Sequence, residues 1–116
     1  MTERRLVLES GAEAEIEKAT AWYEQQRPGL ALELAREVRH VFEQLVRVPN
    51  KSLVVPGVAK ELHVRRVLLR TFPYAVVIVE TDDAIHVVAF AHLKKKPNYW
   101  RKRLRRLLGP APRGKR

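Results

Sequence analysis

At 116 residues the chain is long enough for one hydrophobic core and too short for two. A hydrophobic fraction of 46% argues against disorder, and the lack of cysteine excludes disulfides and thiolate zinc sites and suits a reducing cytoplasm. The formal charge of +10 comes from one end: residues 1–83 carry 12 Lys/Arg against 13 Asp/Glu, whereas residues 84–116 carry 11 Lys/Arg and no acid. Such asymmetry points to a polyanionic partner, with a merely solubilising tail as the alternative. The basic block is interleaved with Tyr99, Trp100, Leu104, Leu107 and Leu108, which favours a working surface. No apolar run is long enough to cross a bilayer and no signal-peptide pattern is visible, so a cytoplasmic protein without a membrane partner is expected.

The first predicted element is a strand within residues 4–8. Ser10 stands three residues before Glu13, the spacing of a capping box, and so predicts a helix start. Ala12, Ile16, Ala19 and Tyr23 then recur at helical spacing, with Glu13, Glu15, Glu17 and Lys18 assigned mostly to the outer side. Trp22 and Tyr23 read as packing residues of that helix. The run Gln25-Gln26-Arg27-Pro28-Gly29 breaks it, and the short break predicts an antiparallel helical hairpin. The second helix carries Leu30, Leu34, Val38, Val41, Leu45 and Val48 as one stripe and ends at Pro49. Residues 50–60 read as a loop with one short extended piece at residues 53–55.

Three strands follow. Residues 61–69 alternate imperfectly, Arg70-Thr71-Phe72-Pro73 turns, and residues 74–79 are nearly all apolar and β-branched, as a strand covered on both faces must be. Thr81-Asp82-Asp83 reverses the chain into a strand over residues 85–91, completing an antiparallel meander. Pro97 suits the first position of a last helix reaching Leu108, which Gly109-Pro110 stops. The expected architecture is α+β: an N-terminal strand and an antiparallel helical hairpin packed on one face of a curved antiparallel sheet, with a short C-terminal helix. Residues 1–108 are expected to form a single domain and residues 109–116 a flexible basic tail.

The stretches Ala19-x-x-Trp22-Tyr23-Glu24, Pro28-Gly29-Leu30-Ala31, Val64-Arg65-Arg66, Phe72-Pro73-Tyr74-Ala75-Val76-Val77, Ala91-His92 and Pro97-x-Tyr99-Trp100-x-x-Arg103 resemble, in order and spacing, the RelE/ParE superfamily of toxins. The likeness is to the ParE-like branch often labelled plasmid stabilisation proteins, and it covers most of residues 12–103. It implies a type II toxin that stops growth, neutralised in a hetero-oligomer by a cognate antitoxin. RelE-type members cleave mRNA in the ribosomal A site, ParE-type members poison DNA gyrase, and an inactive member would only form the antitoxin complex. Both targets stay open, with ribosome-dependent cleavage placed first.

Metal-free RNA cleavage needs a base for the 2′-hydroxyl, an acid for the leaving oxygen and cations for the phosphate. Candidate catalytic residues are His92, Lys94, Tyr99 and Arg66, and candidate nucleic-acid contacts are Arg65, Lys95, Lys96, Trp100, Arg101 and Arg103. Arg65 and Arg66 are adjacent, so on a strand they point to opposite faces; at most one belongs to any given site and the other is expected to pair with a helix carboxylate. Against the RelE pattern, Ala75 stands where an arginine is expected, Lys94 near the later arginine, and Tyr99 or Trp100 near the terminal tyrosine. Structural readings stay beside these: His92 as a hydrogen-bonding strand-end residue, and Trp100 with Leu104 and Leu107 as the docking side of the last helix. His40, His63, His86 and His92 lack ligand-like spacing, so no metal or other cofactor is expected.

Overall fold

In the computed structural model, which describes residues 4–47, 53–54, 64–81 and 84–108, the elements run β1 (Arg5–Leu8), α1 (Ser10–Gln26), α2 (Leu30–Arg47), β2 (Leu53–Val54), β3 (Val64–Leu68), β4 (Tyr74–Glu80), β5 (Ala84–His92) and α3 (Arg101–Leu108). The strands form one sheet in the order β1-β5-β4-β3-β2. The meander β3-β4-β5 is antiparallel, but β1 returns beside β5 in parallel, so the sheet is mixed and not wholly antiparallel. No helix among the described residues is long and apolar enough to cross a membrane. The expected basic tail, residues 109–116, lies outside the described residues.

Strand β4 sets the two-sided core. Val76 and Ile78 point into one cluster with Leu34, Val38, Val41, Phe90 and Ala12 under the α1–α2 hairpin. Val77 and Val79 point the other way, into a second cluster with Val88, Ala91, Trp100 and Leu104. This is why the segment carries no polar alternation: both of its faces are covered. The expectation of helices on one face holds for the hairpin alone, because α3 lies on the opposite face.

The stripe predicted for α2 is buried at Leu34, Val38, Val41 and Leu45. Its first amides are satisfied from the preceding helix, since the Glu24 carboxylate accepts from the N–H groups of Gly29 (3.2 Å) and Ala31 (3.0 Å). Gly29 sits at φ +96°, a backbone conformation that glycine adopts without strain, and it makes this tight return possible. Glu37, placed on the outer face by its spacing, instead accepts from the Arg70 and Thr71 amides and holds the β3–β4 turn.

Four local expectations are corrected. The capping box does not form: α1 starts at Ser10, its N-cap is Glu9, and the Glu9 carboxylate pairs with His86 Nδ1 at 2.8 Å. The last helix begins at Arg101, not near Pro97, because Asn98 at φ 61° interrupts any helical run there. Trp22 is not a packing residue in the ordinary sense, with 54% of its surface exposed. No ion pair joins Arg65 or Arg66 to a helix carboxylate among the described residues, and the Nε atom of each is buried without a partner.

Leu34 has no exposed surface at the centre of the hairpin-side core. Leu34→Ala is therefore expected to lower stability by about 3 kcal/mol, the cost of a lost side chain plus an incompletely closed cavity. Urea unfolding with an unchanged slope checks this; a loss below about 1 kcal/mol would show that α2 is not seated on the sheet as described.

Candidate nucleic-acid interface

One carboxylate organises the surface. Strand β1 ends its pairing with β5 at Leu8↔Val87, and just beyond it the β4–β5 register shifts between Val77 and Ile78, a bulge that takes in Val88. There Glu15, reaching over from α1, accepts from the Phe90 N–H at 2.9 Å. The same carboxylate accepts from the Tyr99 hydroxyl at 2.6 Å and from both terminal nitrogens of Arg103, at 3.0 and 2.9 Å. Arg103 closes the arrangement by donating to the Val88 carbonyl at 2.8 Å. Gly11 makes room for it, because a Cβ there would lie 2.9 Å from the guanidinium carbon. A helix, a strand edge and the C-terminal segment are thus tied at one point.

The protonation states follow. Burial pushes the Glu15 carboxyl up, but the hydrogen bonds from Arg103, Tyr99 and the Phe90 amide outweigh it and hold the group below the usual carboxylate range. Tyr99 moves the other way: burial, then its hydrogen bond to the charged Glu15, push the phenol well above its ordinary value. Tyr99 therefore keeps its proton at any physiological pH. It is a donor and not a base.

Around this anchor lies a shallow cleft of about 100 Å³ on the sheet face away from the hairpin. Arg66, Lys95, Lys96, His92 and Tyr99 line it, with Ala75 in its wall. The Lys95 ammonium stands 4.8 Å from the centre of the Tyr99 ring, within cation–π range. Lys96 and Tyr99 also border a second, open cleft of about 550 Å³ that runs along α3 past Arg101, Lys102 and Arg105. The two form one continuous basic surface.

The residues singled out from sequence do not all arrive there. Arg66 does, whereas Arg65 pairs in register with Ile78 and takes the hairpin face. Lys95 and Lys96 line the cleft, but Lys94 contributes its backbone, donating to His92 Nδ1 at 3.0 Å. With Nδ1 accepting, the proton of a neutral His92 ring sits on Nε2. Trp100 is only 3% exposed and packs in the second core cluster, so it is not available as a stacking platform. Arg103 donates to the Glu15 carboxylate and the Val88 carbonyl, so its charge is already paired within the chain.

Sequence reasoning missed Glu15 and Gly11. A signal for Glu15 existed: it stands three residues after Ala12 and four before Ala19, on the stripe itself, and an acid on an apolar stripe needs a partner.

The architecture is that of an α+β protein in which a helical hairpin covers one face of a small mixed sheet and a basic cleft opens on the other. No protein-family model and no curated protein matches the chain. Among solved structures it is similar to a chain of the chromosomal ParDE TA system from P. aeruginosa, with a TM-score of 0.67 and 17% identity over 79% of this chain and 98% of that one. At that identity the likeness is one of fold.

Because the Glu15 carboxyl is held low in the folded protein, its contribution to stability is fully present above the ordinary glutamate range and is lost as the pH falls through the folded value. Glu15→Gln should cost on the order of 2 kcal/mol at pH 7. The gap between the two proteins should then narrow as the pH falls below the ordinary glutamate range. Urea midpoints of both proteins across that range check it, and a gap independent of pH would show that the charge of Glu15 contributes nothing.

Proposed function

We propose that the chain is the toxin of a type II toxin–antitoxin module, and that it acts through the basic cleft on mRNA held by the ribosome. The observation that carries this reading is the convergence of Arg66, Lys95 and Lys96 with Tyr99 on the sheet face that the hairpin leaves open. The fold shared with a chain of a ParDE TA system supports the toxin role and a cognate antitoxin as partner. Burying the cleft under an acidic antitoxin segment would neutralise the toxin by removing the cations from reach.

Three cations around one cleft can hold a phosphodiester and stabilise the charge that grows on it. Tyr99 can give its proton to the leaving oxygen only when its hydrogen bond to Glu15 opens. With the phenol pushed well above neutral, its main contribution is a hydrogen bond to that oxygen as charge develops. The base is the harder role. His92 takes it only when its contact with the Lys94 amide opens, freeing Nδ1 to accept the 2′-hydroxyl proton. Lys94, placed outside the cleft, has no role in this scheme.

The second reading is a toxin that docks on DNA gyrase without breaking a bond. It is favoured by the two groups just named, since Tyr99 is tied to Glu15 and His92 to the Lys94 amide. Ala75, where a further arginine is expected from the RelE pattern, points the same way.

Cleavage of a defined mRNA by the purified protein, with and without programmed ribosomes, separates the two. Cuts in the A site that need ribosomes, lost in Lys95→Glu/Lys96→Glu and reduced on the order of 10²-fold or more in Tyr99→Phe, are the expected result. Intact RNA from a preparation that still arrests growth and inhibits gyrase supercoiling would replace it with the docking reading.

A further inference from the structure

The basic cleft has a neighbour on the other side of the Glu15 anchor. Between α1 and the ends of β4 and β5 lies an open groove of about 360 Å³ whose lining is mainly apolar. Its aromatic side chains form a chain of edge-to-face contacts: Trp22 to Tyr23 (4.9 Å between centroids, 87°), Tyr23 to Tyr74 (6.3 Å, 68°) and Tyr74 to His92 (5.0 Å, 77°). The inner members are half-buried, whereas Trp22 is 54% exposed, and Tyr23 is its one aromatic contact among the described residues. An indole so placed covers little of the core and leaves a large π surface to solvent. Because Trp22 adjoins the apolar lining of the groove, it belongs to a continuous exposed patch and is not an isolated surface side chain.

The charges around the groove restrict what can use it. Lys18 stands one helical turn before Trp22, on the same side of α1, and Lys95 borders the opposite edge. The acid at the groove, Glu15, already accepts from Phe90, Tyr99 and Arg103 and is neutralised by the last. A groove with aromatic walls and ammonium rims fits a flat, π-bearing ligand that carries negative charge. His92, Lys95 and Tyr99 line both this groove and the basic cleft, so a strand whose phosphate lies in the cleft can turn its next base around them into the groove.

We infer that the groove between α1 and the β4–β5 end is a nucleobase-stacking subsite for single-stranded RNA, with Trp22 as the platform and Lys18 and Lys95 facing the flanking phosphates. Stacking of this kind tolerates any base, because every base has a π face. The inference rests on the reading that the basic cleft holds an RNA strand, and it adds where the neighbouring nucleotide goes.

The test uses the full chain and a short labelled oligouridylate at low salt, read by fluorescence polarisation, with tryptophan emission followed in parallel using unlabelled RNA. Trp100 is buried but also lines the basic cleft, so a saturable quench seen in wild type and lost in Trp22→Phe belongs to Trp22. Trp22→Ala should weaken binding about tenfold and Trp22→Phe should restore most of it. Replacing the bases by abasic residues should cost the wild-type protein a similar factor and the Trp22→Ala protein little. If Trp22→Ala binds as tightly as wild type and the wild-type emission shows no quench, while Lys95→Glu still weakens binding, the subsite is overturned and the basic cleft stands. Abasic RNA bound as well as normal RNA overturns it too, and leaves the groove to an apolar peptide. Failure of the wild-type protein to bind RNA at all overturns both the subsite and the reading beneath it.

Discussion

The Glu15 carboxylate is the one group on which the arrangement of this protein depends. A half-buried carboxylate without partners would be costly, and the chain gives it a backbone amide, a phenol and a bidentate guanidinium. The need arises from the topology. Strand β5 lies between β4 and β1, but β1 stops at Leu8 while β5 continues to His92. Past that point the backbone of β5 has polar groups that no strand satisfies, and an open edge of that kind invites wrong partners. The carboxylate takes the Phe90 amide and Arg103 takes the Val88 carbonyl, so two side chains stand where a further strand would pair.

That substitution has a consequence for the far face of the sheet. Arg103 belongs to α3, and Tyr99 to the turn leading into it, so the same bonds that finish the edge also seat α3 over Val77, Val88 and Ala91. Trp100 and Leu104 complete the seating by burial. The helix covers only part of the face, and the cleft lined by Arg66, Lys95 and Lys96 is what remains. The cleft is therefore a by-product of how the edge is closed, and a change at Glu15 reaches it through Tyr99 without touching any of its cations.

Much of this was legible in the sequence where a pattern is carried by many residues at once. The α2 stripe, the doubly covered β4 and the meander each rest on several apolar positions, so no single exception spoils them. Features that rest on one residue were not legible. Glu15 was grouped with Glu13 and Glu17 because charge suggests an outer face, although its spacing from Ala12 and Ala19 says otherwise. Ser10 and Glu13 match the capping pattern, yet Glu9 takes the N-cap position and spends its carboxylate on His86, a partner 77 positions away. Trp22 departs from its expected packing role for the same reason, and Trp100 takes the packing alternative over the stacking one. Local spacing does not say that α3 folds onto the sheet and buries one indole, or that α1 tilts the other into solvent.

The charge distribution also takes on a different meaning once folded. The last third of the chain holds eleven cations and no acid in sequence, but Arg103 is cancelled inside the structure by an acid from the first helix. This matters for anion binding. A bare carboxylate at Glu15, beside Tyr99 and Lys95, would repel a phosphate from the cleft through a poorly screened medium. Paired with Arg103 it becomes a neutral unit that still holds Tyr99 in place, so the field felt in the cleft is set by Arg66, Lys95 and Lys96. The protein thus keeps an internal carboxylate at the centre of a basic surface at the cost of one cation, Arg103, and leaves the cations of the cleft unpaired with it.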